Sequence, residues 1–144
     1  MQGTAAAASP VPFELFTADT LAGDAKTLLG APGNKTLVDG KQLPVTVVMT
    51  TETAKSAKEF EWHEGRDHIV QILDGSTLYE VGGTPKQGHM TKPSEWLAPE
   101  SEGHTTYTLK KGDMLLIPRS TPHKRTTKET VTLILISTIG AVAG

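Results

Sequence analysis

Residues 61–75 read EWHEGRDHIVQILDG, and a further histidine, His123, follows IPRSTP about fifty residues later. Glu61 and His63 are two positions apart; His68 comes after the bend-forming EGRD. Three imidazoles and one carboxylate make a mixed nitrogen and oxygen donor set. Such a set suits a divalent transition metal (Mn, Fe, Ni, Cu or Zn) better than Ca or Mg, which prefer oxygen alone. The same residues would also serve as a solvated charged loop, so the elements that carry them must decide. On an extended strand, residues two apart share a face, which aligns Glu61 with His63 and sends Phe60 and Trp62 the other way. After the EGRD bend, His68, Val70 and Ile72 again share one face. If both faces line the same interior, the acid and the imidazoles converge among apolar walls.

The elements around these positions are short and β-like. KTLVDG, VTVVMTTE, EFEWHE, HIVQILDG, STLYEVGG, TTYTLKKGD, MLLIP, HKRTT and VTLILIST are rich in Val, Ile, Leu and Thr and are bounded by turn residues. One helix is expected, in FTADTLAGDAKTLLG. Thr17 or Asp19 can cap it, Leu21, Leu28 and Leu29 supply its apolar side, and Gly30 ends it. Many short strands with a single helix predict an all-β antiparallel sandwich or barrel. Residues 1–12 are expected to form a poorly ordered tail, with 13–144 as one domain. Residues 83–106, with three prolines and no clear period, are expected to form a long loop excursion.

Composition removes several classes of function. A net charge of −2 and a pI near 6.2 give no basic footprint, so nucleic acid is not an expected partner. No apolar run reaches the ~18 residues that a membrane span requires, so no membrane partner is expected either. With no cysteine there are no disulfides, thiolate metal sites or cysteine nucleophiles. The opening MQGTAAAASPVPF has no signal-peptide pattern. It suits a mature exported (periplasmic or secreted) chain as well as a cytoplasmic one.

The spacing resembles the two motifs of the cupin superfamily, G-x5-H-x-H-x3-4-E-x6-G and G-x5-P-x-G-x2-H-x3-N. The second is close. Gly112 is followed after five residues by Pro118, and Ser120 stands where glycine is usual; His123 falls at the ligand position, and Thr127 replaces the asparagine. In the first, Gly75 closes the motif, His68 occupies the glutamate position, His63 the second histidine and Glu61 the first. The usual His-His-Glu-His order thus becomes Glu-His-His-His with its inventory intact. Asp67, the competing acid, is one position away from the required spacing and is not taken as a ligand.

The resemblance covers roughly residues 44–138. It implies a cupin-type jelly-roll barrel, a transition metal held by Glu61, His63, His68 and His123, a small-molecule substrate and a homodimer. Oxygenase, isomerase, decarboxylase and lyase chemistry are all compatible with it. Should a dedicated base exist, Glu64, Tyr79 and His104 are the candidates. The alternative is a non-catalytic module that binds a metal or a small ligand.

Overall fold

The computed structural model describes residues 13–140; the expected tail 1–12 and residues 141–144 lie outside the described residues. Helix α1 (Ala18–Gly30) is capped by Thr17, whose Oγ1 accepts from the Thr20 N–H at 3.1 Å, while Asp19 sits in the first turn beside the positive end of the helix dipole. Leu28 is buried. Leu29, expected on the same side, is 48% exposed. Successive helical residues diverge by about 100°, and only one of two adjacent leucines can face the sheet.

Eleven strands follow: β1 (Gly33–Asp39), β2 (Val45–Ser56), β3 (Phe60–His63), β4 (Arg66–Val81), β5 (Thr84–Lys86), β6 (His89–Lys92), β7 (Glu95–Ala98), β8 (Glu100–Glu102), β9 (Thr105–Lys110), β10 (Met114–Ile117) and β11 (His123–Ile139). Every pairing is antiparallel. The fold is an all-β jelly roll with one short helix, as the resemblance implies.

Strand β11 organises the barrel. Along most of its length it lies between β2 and β4, and at its start β3 replaces β2. Strand β4 reaches further, to β10 through its first half and to β9 through its second. Two pairs of expected strands are therefore single long ones: HIVQILDG and STLYEVGG both belong to β4, and HKRTT and VTLILIST to β11.

Bulges keep both long strands facing inward. On β4 the register slips between Ile72 and Asp74, opposite Leu133 and Thr132, which leaves Leu73 as an extra residue. Inward positions are consequently even before the slip (His68, Val70, Ile72) and odd after it (Thr77, Tyr79), and all five are buried. Gly75 follows at φ +75°, so close to β11 that a Cβ there would collide with the Thr130 carbonyl. On β11 the irregularity facing β4, between Thr126 and Val131, adds two residues and so preserves parity. His123, Thr127, Val131, Leu133 and Ser137 are all buried. The core is Val70, Ile72, Tyr79, Leu109, Ile117, Val131 and Leu133.

The span 83–106, expected as a loop, carries four short strands. Strand β7 extends the sheet beyond β3, with Trp62 opposite Trp96 and their rings stacked at 5.6 Å; β6 adds to β7, and β5 pairs with β8. The prolines at 85, 93 and 99 limit these strands to three or four residues without preventing them.

Candidate metal centre

His63, His68 and His123 come together. One ring nitrogen from each lies within 4.8 Å of the others, and the ring centroids form a near-equilateral triangle of 4.9, 5.5 and 5.4 Å. Strand pairing sets this triangle. His123 begins β11 opposite Glu61 of β3, and His68 lies on β4 opposite Ser137 of β11.

The second ring nitrogen of each histidine is held by the protein. His63 Nδ1 meets Glu95 Oε2 at 2.7 Å, His68 Nδ1 meets Ser137 Oγ at 2.8 Å, and His123 Nδ1 donates to the Thr121 carbonyl at 3.0 Å. The first two partners are cross-strand neighbours of their histidines. With all three Nδ1 atoms engaged, Nε2 is the second nitrogen of each ring, and that of His123 also lies 3.4 Å from Glu61 Oε1. Metal-binding imidazoles are commonly held in this way, with one nitrogen fixed by a protein group. His68 also meets the protonation requirement. Burial, reinforced by the neighbouring imidazoles, lowers its pKa to about 4, so it is neutral at pH 7.

Three atoms with mutual separations of 4.8 Å or less share a point within roughly 2.8 Å of each, against about 2.0–2.1 Å for a Zn–N bond. Small ring rotations would close that gap, so the donor set fits a transition metal.

Glu61 reaches the group through His123. Its Oε1 lies 3.4 Å from His123 Nε2, and this hydrogen bond lowers the Glu61 carboxyl to about 2 even though burial opposes it. The side chain is half exposed and stands at the rim of the triangle. Asp67 points elsewhere, accepting from the Arg119 backbone N–H at 2.8 Å and pairing with its guanidinium at 3.2 Å.

The three base candidates are separated by the fold. Tyr79 lines the cavity beside the histidines. Glu64 and His104 do not: His104 is held by the Ser101 carbonyl at 2.7 Å and by Glu80 at 3.0 Å, on the other side of β3 against Phe60. The cavity measures about 390 Å³ and is lined by His68, His123, Val70, Ile117, Tyr79 and Arg125 among others.

Sequence reasoning did not foresee Glu95, Ser137, Arg125 or Glu52. For Arg125 the signal was present, since it lies two positions beyond His123 on the same strand. The others are joined to the site only by strand register.

No protein-family model matches the sequence, and no curated protein matches it. Solved structures do. A cupin-like protein of Thermotoga maritima superposes with a TM-score of 0.53 at 20% identity, over 76% of this chain and 77% of its own. A cupin-2 domain protein of Shewanella frigidimarina gives 0.51 at 14%, over 80% and 89%. The hydroquinone 1,2-dioxygenase of Sphingomonas sp. TTNP3, solved with 4-hydroxybenzoate bound, gives 0.50 at 16%, over 72% of this chain. The chain spans 64% of that dioxygenase. At such identities the likeness establishes the fold.

Proposed function

We propose, from a chain with the fold of the cupin superfamily and three converging imidazoles inside it, that this protein is a metal-dependent enzyme for a small organic substrate. The observation that carries the reading is the tethering of all three Nδ1 atoms, which leaves the second nitrogen of His63, His68 and His123 as the candidate donor to one position. Glu61 is the fourth ligand in this reading, supplying an anionic oxygen next to His123. A divalent transition metal bound there would supply Lewis acidity toward a substrate oxygen or redox chemistry.

The remaining work belongs to the chain. Val70, Ile117 and Leu135 give part of the cavity an apolar lining, and its volume of about 390 Å³ lies in the range of small-ligand pockets. Tyr79, of the three base candidates, is the one placed to reach a bound molecule. Oxygenase, isomerase, decarboxylase and lyase reactions all remain within this description; one structural neighbour is a dioxygenase.

A second reading, a non-catalytic metal-binding or ligand-binding module, draws support from the distance of Glu64 and His104 from the cavity. Cobalt substitution separates the two. An enzyme has open coordination positions, so azide should change the visible spectrum of the cobalt protein; a saturated site would leave it unchanged.

We also propose a homodimer, as C2 pairs are the commonest assembly. Strand β10 is bonded to β4 along one edge and exposes Met114 and Leu116, each 60% accessible. Light scattering at micromolar concentration should give twice the chain mass, and a monomer would contradict this.

A further inference from the structure

The cavity has a second polar wall for which the metal site has no use. Tyr79 on β4 and Arg125 on β11 are cross-strand partners, and Glu52 on β2 faces Val131 of β11 a little further along. Arg125 donates from Nε to Glu52 Oε2 at 3.0 Å, from Nη2 to Glu52 Oε1 at 2.8 Å and from Nη1 to Tyr79 Oη at 3.1 Å. Thr127 Oγ1 adds a 2.6 Å bond to Glu52 Oε2. The carboxylate is thereby satisfied. The other two members are not.

A guanidinium carries five N–H groups and accepts nothing. Three are used here, so two remain on a side chain that is 25% exposed and lines the cavity. Because arginine can only donate, Tyr79 is the acceptor in their contact, and its own O–H proton has no partner among the described residues. The residue is 2% exposed and is one of those that line the cavity. Burial holds its pKa above the usual value, so the proton is retained. A buried donor without an acceptor is the exception in folded proteins, and a ligand is one way to complete it.

We infer that this wall is a carboxylate-binding subsite, in which the Tyr79 O–H and the two remaining N–H groups of Arg125 receive the carboxylate of a small organic acid. The inference deepens the metal-enzyme reading and rests on it for where the rest of the substrate lies, in the same cavity as His68 and His123. A planar two-oxygen anion matches a guanidinium edge joined to a hydroxyl donor better than a single neutral oxygen does. The charge balance agrees. Lys55 and Lys58 also line the cavity, and so does Lys124, which pairs with Glu80 at 3.7 Å, while Glu52, one of its three acids, is committed to Arg125. Glu52 is a positioning residue: it fixes two of the guanidinium nitrogens and so determines where the free N–H groups point.

The test uses metal-free protein, so that the subsite is read apart from the metal. Sodium benzoate and its uncharged analogue benzamide are titrated by calorimetry. Benzoate should bind saturably and at least about tenfold more tightly than benzamide. Tyr79→Phe and Arg125→Lys, each confirmed as folded by near-UV circular dichroism, should weaken benzoate about tenfold and narrow its preference over benzamide. A purely structural role for these residues would lower stability without changing that preference. The inference is overturned by equal affinity for benzoate and benzamide, by no saturable benzoate binding, by inorganic phosphate outcompeting benzoate, or by unchanged benzoate affinity in folded Tyr79→Phe. Zinc titrated into the same samples keeps the two readings distinct. Loss of zinc uptake with benzoate binding intact would remove the metal centre and leave the subsite standing.

Discussion

Arg125→Met should destabilise the protein by about 3 kcal/mol at neutral pH. The variant keeps the volume and the apolar stem but removes the charge that Glu52 faces. In the native protein Arg125 meets Glu52 through two hydrogen bonds of 2.8 and 3.0 Å, and the Glu52 side chain is only 7% exposed. Removing one partner of a buried ion pair costs roughly 3–5 kcal/mol, because the other charge is left uncompensated. Arg125 is a quarter exposed, so water can soften the loss, and the lower end of the range applies.

Urea denaturation provides the assay. With an m-value of roughly 2 kcal/mol/M, a loss of about 3 kcal/mol moves the midpoint by about 1.5 M. The sign of the pH dependence follows from Glu52. Burial pushes its carboxyl up, but hydrogen bonds from Arg125 and Thr127 and the Arg125 charge outweigh it, leaving the group below 4.5. In wild type that contribution is therefore fully present above pH 4.5 and is lost as the pH falls through the lowered native value. Without Arg125, burial acts unopposed by the guanidinium and Glu52 becomes easier to protonate than in the unfolded chain. The variant then recovers as the pH falls, and the gap to wild type narrows. Glu52→Gln combined with Arg125→Met should restore about 2 kcal/mol relative to the sum of the single losses. A single-variant loss below about 1 kcal/mol, or a gap that widens in acid, would refute the reasoning.

Ser137→Ala and Glu95→Ala should each weaken zinc binding roughly 10–100-fold in competition with a chelator dye, because each removes the group that orients an imidazole and leaves the three histidines unchanged. Ser120→Gly should raise stability by about 0.5–1 kcal/mol in chemical denaturation. Ser120 sits at φ +63°, where a side chain is strained, and its N–H, bonded to the His63 carbonyl at 2.7 Å, is kept in the glycine variant. Glu61→His and His68→Glu should each reduce metal affinity, while the double exchange restores the inventory and should bind better than the summed losses imply; strict additivity would show that one of the two is not a ligand.

The histidine triangle was legible because strand alternation is local. Two-residue spacing put Glu61 beside His63 and aligned His68 with Val70 and Ile72, and the second motif placed His123. The all-β antiparallel class followed from many short β-branched runs and a single helix, and the jelly roll from the resemblance of the two motifs. The length of β4 was hidden because Asp74-Gly75 reads locally as a turn. In the fold it is a bulge, with Gly75 pressed against the backbone of Thr130. The same bulge reverses the parity that brings Tyr79 inward, so the role of Tyr79 could not be counted from His68. Glu95, Ser137 and Glu52 were hidden for another reason. Each is joined to the site by a pairing between residues 32 to 73 positions apart, and register over such distances is a property of the assembled sheet. The excursion 83–106 was misread because its prolines suggested a loop, whereas the stacking of Trp62 on Trp96 draws β7 into the sheet.

The central claim is that His63, His68 and His123 hold one transition metal. Mass-spectrometric metal analysis of protein purified without an affinity tag, wild type beside His123→Ala, tests it most directly. Wild type should carry close to one transition-metal ion per chain, and the variant should lose most of it. Equal metal content in the two proteins would contradict the account.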